Sequence, residues 1–279
     1  MTRRILMCEP LHYRIDYEIN PWMRRSNRVD GERALEQWQR LRERIEALGV
    51  EVELIEQEPE TPDMTFTANA GLVIGDRFIP SNFRFPERQP EEDHFIHWFR
   101  EAGYTVETIH LPHYWEGEGD VLPAGERVFA GYRYRTEFRA LDHLAQALGP
   151  GHELVRIELA DERFYHLDTC FAPLGDGRAM YEPAAFTAEG RTQLAVHFDD
   201  LIAVEREESL RFACNALVVD RQVVMNAGCP TTARALRERG YEPVESATDE
   251  FIKAGGSVKC LTLMLDAFAP RDEGPDAFL

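Results

Sequence analysis

NAGLVIGDRFIPSN, residues 69–82, opens on a polar residue, runs apolar, turns at Gly75-Asp76 and returns through a second apolar run. A Gly-Asp pair between two apolar runs signals a β-hairpin. The pattern recurs in DVLPAGERVFAGY from Asp120, turning near Gly125, and in DTCFAPLGDGRAMYEP from Asp168, turning at Gly175-Asp176-Gly177. It recurs again in NALVVDRQVVMNAG from Asn215, turning at Asp220-Arg221. The four openings follow one another at 51, 48 and 47 residues. A fixed period near 50 predicts repeated supersecondary units.

The segments between hairpins repeat as well, each a helical stretch followed by a short strand. ERALEQWQRLRERIEALG sets Leu35, Trp38, Leu41, Ile45 and Leu48 on one stripe and stops at Gly49, before the strand VEVELI. EEDHFIHWFREAG precedes YTVETI, TEFRALDHLAQALG precedes HELVRIEL, and TARALRERG precedes YEPVE. AEGRTQLAVHF is the least distinct of the helical stretches. A final helix is expected over TDEFIKAGG with Thr248 as N-cap, then a strand over SVKCLTLMLDAF. That strand lacks a hairpin partner, and the amino-terminal RRILMCEP supplies one. The expected fold is therefore a closed α/β propeller of five units with five-fold pseudosymmetry. It is read as a single catalytic domain over residues 1–279, with a mobile tail from about 270.

In such a ring the residue opening each hairpin occupies an equivalent place. Asn69, Asp120, Asp168 and Asn215 are thus predicted to face the central axis and line a polar pocket. Composition bounds its occupant. The chain has 279 residues, 31 Lys and Arg against 50 Asp and Glu, and a net charge of −19. Such a body repels nucleic acid and anionic membrane and favours small cations. There is no apolar run long enough to span a membrane and no secretory signal in MTRRILMCEP, so a cytoplasmic location is expected. The five cysteines, an odd number without a CxxC pair, argue against a disulfide framework or a structural zinc.

PDMTFTANA, WEGEGD, FYHLDTC and GGSVKCLT are expected to border the pocket. They bring Asp63, Asn69, Glu116, Glu118, Asp120, His166, Asp168 and Cys260. Converging carboxylates call for a cation, and a planar guanidinium with five donors suits them. His166 and Asp168, two apart in an extended chain, should look into one space. A cysteine and a histidine beside a cationic ligand suggest nucleophilic catalysis. Each residue also has a plainer reading: a core cysteine, a structural histidine, carboxylates that serve turns. His166, Asp168 and Cys170 share parity and could be read as metal ligands, but tight sites favour more His or Cys. Four motifs at equivalent points of one repeat favour a common site.

An acidic motif of EGGD type, an HxD motif and a late cysteine, here Glu116–Asp120, His166-Leu167-Asp168 and Cys260, resemble the guanidino-group-modifying enzymes, the amidinotransferase superfamily of pentein fold. The resemblance covers about residues 4–268. WEGEGD carries one residue more than EGGD; the FEGxGD subgroup makes Glu116, rather than Glu118, the matching glutamate. Asn69 stands where deiminases and dimethylaminohydrolases generally place aspartate. With INPWM, DERFYHLDTCF, FACNA and KCLTL, it makes the chain similar to cyanobacterial-type arginine dihydrolases. The resemblance implies catalytic Cys260, His166 and Glu116, with Asp63, Asn69, Asp168 and Asp120 toward the guanidinium. Asn20 would take the α-amino group. Arg88, Arg135 or Arg133, and Lys259 are the candidates for the α-carboxylate. It implies hydrolysis of arginine to ornithine, carbon dioxide and two ammonia through an S-amidino intermediate, with no metal or organic cofactor. Single-step guanidine hydrolysis, amidino transfer and a non-catalytic binding protein are the alternatives. The expected partner is a small cationic substrate, and homo-oligomer formation is compatible with this reading.

Overall fold

A computed structural model of the chain describes residues 3–108 and 112–268. Strand β1 (Arg4–Cys8) leads to helix α1 (Gly31–Glu46) and strand β2 (Glu51–Ile55). The next unit is the hairpin β3 (Gly71–Ile74) and β4 (Arg77–Pro80), helix α2 (Pro90–Glu101) and strand β5 (Thr105–Val106). The third is β6 (Val121–Ala124), β7 (Arg127–Tyr132), α3 (Ala140–Leu148) and β8 (Glu153–Glu158). The fourth is β9 (Phe171–Gly175), β10 (Arg178–Tyr181), α4 (Ala188–His197) and β11 (Asp200–Ala203). The fifth is β12 (Leu217–Val219), β13 (Gln222–Asn226), α5 (Pro230–Arg237) and β14 (Glu242–Ser246). Strand β15 (Leu263–Met264) pairs antiparallel with β1, which pairs parallel with β2. Each sheet thus has a central strand, an antiparallel hairpin partner and a parallel strand delivered by a helix. The five-fold α/β propeller expected from the period forms, and the amino terminus completes the last unit.

The helices form for local reasons. Asp30 caps α1 by accepting the Arg33 N–H at 3.1 Å. Its inward face is Ala34, Gln37, Trp38, Leu41 and Ile45, while Leu35 and Leu48 are only half-buried. Pro90 opens α2, where the missing N–H costs nothing, and Phe95 and Phe99 face the core. The indistinct helix is α4. Only Gly190 and Leu194 are buried on it, so no apolar stripe marks it, and Thr187 caps it through the Gly190 N–H.

Two expectations at the carboxyl end are corrected. The strand over 257–268 is confined to Leu263–Met264; residues 258–261 are a turn, and Cys260 sits in it. Thr248 does not cap with its side chain: its Oγ1 contacts Asn226 Oδ1 at 2.9 Å and Ser257 Oγ at 2.6 Å. The tail expected to be mobile lies outside the described residues.

Short helical turns at residues 67–70, 117–120 and 167–169 run directly into the first strand of their hairpins. They and the turns bearing Asn215 and Cys260 are tied across units. Asp120 Oδ1 accepts the Leu167 N–H at 3.0 Å, and Asn215 Nδ2 donates to the Asp168 carbonyl at 3.1 Å. Asn215 Oδ1 accepts the Cys260 N–H at 3.2 Å, and the Cys260 carbonyl accepts the Ala68 N–H at 3.1 Å. Cys260 therefore occupies in the last unit the place that Asn69, Asp120, Asp168 and Asn215 occupy in the others.

Candidate active site

His166 is in extended backbone at the start of the 167–169 turn, and Asp168 lies within that turn. The two side chains serve one site, but they reach it by a turn and not by strand parity. Cys170 does not follow them. Its thiol contacts the carbonyls of His166 and Leu167 and packs into the apolar core, so the alternative metal reading loses its third ligand.

His166 Nε2 meets Glu116 Oε2 at 2.8 Å, with both side chains buried. Glu116 also receives Arg135 Nη1 at 2.9 Å and the Arg84 N–H at 3.2 Å. Burial works to raise the Glu116 carboxyl, but Arg135 and His166 outweigh it and hold it well below the usual carboxylate range. An anionic Glu116 places the ring hydrogen on Nε2 and leaves Nδ1 outside that contact. Glu118 makes a different contact. Its Oε2 pairs with Lys259 Nζ at 2.8 Å and accepts the Met264 N–H at 3.1 Å. Of the two glutamates, Glu116 is the histidine's partner.

Cys260 Sγ lies 3.2 Å from Asp168 Oδ2 and 3.1 Å from Asn215 Nδ2. Burial, then the neighbouring Asp168, pushes the thiol well above its ordinary range. Burial also lifts Asp168 to about 6, against the pull of Lys259. Asp63 is raised by burial, with Arg88 opposing. Asp63 Oδ1 and Asp168 Oδ1 are buried without a hydrogen-bond partner, as is Asn69 Nδ2. Two carboxylate oxygens left without donors suit a ligand rich in N–H groups.

Three of the four basic candidates stand at or beside the site. Arg88 grips Glu91 with two contacts, at 2.9 and 2.8 Å, and donates to Asn69 Oδ1 at 2.7 Å. Since a guanidinium accepts no hydrogen bond, this contact fixes the Asn69 amide with Nδ2 on the other side. Arg135 is sandwiched between Phe85 and Tyr165 and gives N–H groups to Glu116 and the Ile19 carbonyl. Arg88 and Arg135 border the central cavity. Lys259 is committed to Glu118 and to the Thr262 carbonyl. Arg133, half-exposed and paired with Glu158, stands elsewhere.

Two expected contacts change task. Asn20 borders the cavity, but its Oδ1 already accepts the N–H groups of Trp22 and Met23, and its Nδ2 donates to the Ala254 carbonyl. Its side chain holds the 19–23 segment over the site. Asp120 locks the 167–169 turn through Leu167 and is raised by burial to about 6. Residues that sequence reasoning left out of the site are Tyr165, whose hydroxyl donates to the Gly255 carbonyl at 2.6 Å, and Phe66 on the cavity wall. Asn215 was legible as a repeat position but not as a contact of the thiol. The space holds about 10 Å³, roughly one water, so a larger ligand requires its lining to move apart. A wider surface cavity of about 300 Å³ beside β8 and α4 has none of these groups.

Gly119 sits between two of the site's side chains. A Cβ there would lie 2.4 Å from Asn69 Nδ2 and 3.1 Å from the His166 ring, both already held by Arg88 and Glu116. Gly119→Ala is expected to lower turnover on guanidino substrates by roughly tenfold to a hundredfold, because sub-ångström misplacement of reacting groups is costly. Gly151→Ala, which meets nothing within 4 Å, is the control. Equal kinetics for the two variants would remove Gly119 from the site.

The chain matches the family described as N,N dimethylarginine dimethylhydrolase, eukaryotic, over residues 13–266. It is 43% identical over 265 residues to the bifunctional arginine dihydrolase/ornithine cyclodeaminase ArgZ of Synechocystis, covering 93% of this chain and 37% of that protein. It is 41% identical to the N(G),N(G)-dimethylarginine dimethylaminohydrolase of Mycobacterium tuberculosis, covering 94% of this chain and 85% of that one. The crystal structure of the N-terminal domain of ArgZ bound to product superposes with a TM-score of 0.91 at 42% identity, covering 95% of this chain and 98% of that domain. The chain thus spans less than two fifths of the bifunctional relative but nearly all of its N-terminal domain.

Proposed function

Because the chain belongs to the dimethylarginine dimethylaminohydrolase family of guanidino-group-modifying enzymes, we propose that it is an arginine dihydrolase, one catalytic domain that converts L-arginine to L-ornithine, carbon dioxide and two ammonia. The observation that carries the reading is a small cavity lined by Cys260, Asp63 and Arg135, with Asp168 beside the thiol, a histidine paired to Glu116 behind Arg135, and unpartnered oxygens on Asp63 and Asp168.

Arginine enters as the cavity lining opens, and its guanidinium lies against Asp63 and Asp168. Arg135 has committed two of its five N–H groups, to Glu116 and Ile19, and can turn others to the α-carboxylate; Arg88 has less freedom. The guanidinium opposes the burial that keeps the Cys260 thiol protonated, so the thiol gives its proton to His166 and the thiolate forms where the substrate is. It attacks the guanidino carbon, forming a C–S bond. The terminal C–N bond breaks, and ammonia leaves with a proton from His166. His166 then takes a proton from water, which attacks the same carbon. The C–S bond breaks and a ureido product remains. A second attack at that carbon expels the remaining terminal nitrogen as ammonia. Hydrolysis of the resulting thiocarbamate gives a carbamic acid, which breaks down to ornithine and carbon dioxide.

Asn69 favours two rounds over one. Its free Nδ2 is a donor, matched to a ureido oxygen and not to the donor-only guanidinium. An aspartate there adds a negative charge, which favours cationic arginine over the neutral intermediate. Asn69→Asp is therefore expected to shift the product from mainly ornithine toward citrulline while arginine is still consumed. A charge-assisted contact worth about 1.5–3 kcal/mol moves that partition by about tenfold or more. Chromatographic quantification of both amino acids, with dimethylarginine and agmatine as comparison substrates, is the test. Wild type yielding only citrulline would make it a single-step hydrolase; an unchanged ratio in the variant would remove Asn69 from the partition.

A further inference from the structure

The site contains a buried ion pair that the reaction above does not use. Lys259, beside the nucleophile in sequence, puts its Nζ 2.8 Å from Glu118 Oε2 and 3.0 Å from the Thr262 carbonyl. Glu118 is fully buried and Lys259 is 7% exposed. Glu118 stands two residues after Glu116 and also accepts the Met264 N–H, on the strand that follows the nucleophile turn. The Lys259 carbonyl accepts both the N–H and the hydroxyl of Thr262 at 3.0 Å, so the turn carrying Cys260 is closed on itself. One ion pair thus joins the turn that bears the thiol to the turn that bears the histidine's carboxylate.

A buried pair is weak evidence of stability, since desolvation offsets much of the attraction, so its retention beside the nucleophile calls for another reason. Asp168 supplies one. Its neighbours on its own turn are Tyr165 and Cys170, and from the facing turns come Cys260, Asn215 and Lys259. Burial keeps Tyr165, Cys170 and Cys260 uncharged at neutral pH, and Asn215 does not titrate. His166 is engaged with Glu116. Lys259 is the charged group of this set.

We propose that Lys259 and Glu118 form a positioning pair for this reaction: Glu118 holds the ammonium on the turn that carries Cys260, and its charge acts there on Asp168, which meets the thiol at 3.2 Å and is to receive the substrate's guanidinium. The inference rests on the guanidine-hydrolase reading and adds two residues to it. Glu118 is the extra acidic residue of WEGEGD, and it serves the nucleophile's side of the site as Glu116 serves the histidine's.

The test replaces both partners, Glu118→Leu with Lys259→Met, so that neither charge is left buried alone. The carboxyl of Asp168 is followed by carbon-13 NMR in aspartate-labelled protein, assigned with Asp168→Asn. Its titration midpoint is expected at about 6 in the native chain and about one pH unit higher in the double variant. The acid limb of kcat/KM for arginine should move up with it, giving about a fivefold loss near pH 6 that fades by pH 8.5. A folded double variant with an unmoved midpoint overturns the proposal, as does an activity loss equal at every pH, which would mark the pair as scaffold only. Absence of turnover in the native chain would reject the hydrolase reading, while the NMR midpoint still decides the pair.

Discussion

Cys260→Ser should abolish turnover, lowering kcat by about three orders of magnitude or more while the protein stays folded. The thiol is the sulfur held at the ring of inter-unit hydrogen bonds, fixed through its N–H to Asn215 and through its carbonyl to Ala68. Serine preserves those backbone contacts and nearly the same volume. What it removes is the ability to become an anion near neutral pH when a guanidinium arrives, since a hydroxyl is far less acidic than a thiol. The other cysteines provide the contrast. Cys8, Cys170, Cys214 and Cys229 are buried in apolar clusters, and burial raises each, Cys229 to about 12. Serine at any of these should affect thermal stability more than rate. The decisive measurement is single-turnover analysis with intact-mass detection: wild type should accumulate a covalent adduct at Cys260, and the variant none. Retention of more than a tenth of wild-type activity would refute the covalent route.

The repeat was legible because hairpins announce themselves locally, through Gly-Asp turns between apolar runs, and the helices of the outer ring announce themselves by stripe. Asn69, Asp120, Asp168 and Asn215 could be placed at the axis from the period alone. What the sequence withheld was direction. Strand parity sent His166 and Asp168 to one face, whereas a 3₁₀ turn brings them there and turns Cys170 away. A strand-like run, SVKCLTLML, hid the turn in which Cys260 sits. Pairing was equally hidden: no spacing says that Lys259 reaches Glu118 across 141 positions, or that Asn20 gives its oxygen to Trp22 and Met23. Local patterns fix local elements. Long-range partners follow from how five similar units close, and small differences in turn length decide them.

Turn length decides the next case too, because WEGEGD offers two glutamates where the common motif has one. Glu116→Gln is expected to reduce kcat by about two to four orders of magnitude, the range seen when a histidine loses the group that orients and charges it. Glutamine keeps the size and can still accept from His166 Nε2. It lacks the negative charge, and that charge meets two needs at once. In the proposed reaction it stabilises the imidazolium formed each time His166 takes a proton, and it neutralises Arg135, whose guanidinium lies 2.9 Å away and is 3% exposed. With glutamine in place, Arg135 is left a buried cation short of its nearest carboxylate, so KM for arginine should rise as well if Arg135 holds the α-carboxylate. Glu118→Gln touches neither His166 nor Arg135; its effect passes through Lys259 and Asp168 and should be smaller by at least tenfold near pH 8. Steady-state kinetics of the two variants at that pH, with folding checked by circular dichroism, separates the roles. Equal losses, or a Glu116→Gln enzyme with more than a tenth of the native kcat, would show that the histidine works without its carboxylate and that the glutamate two residues on is the one to pursue.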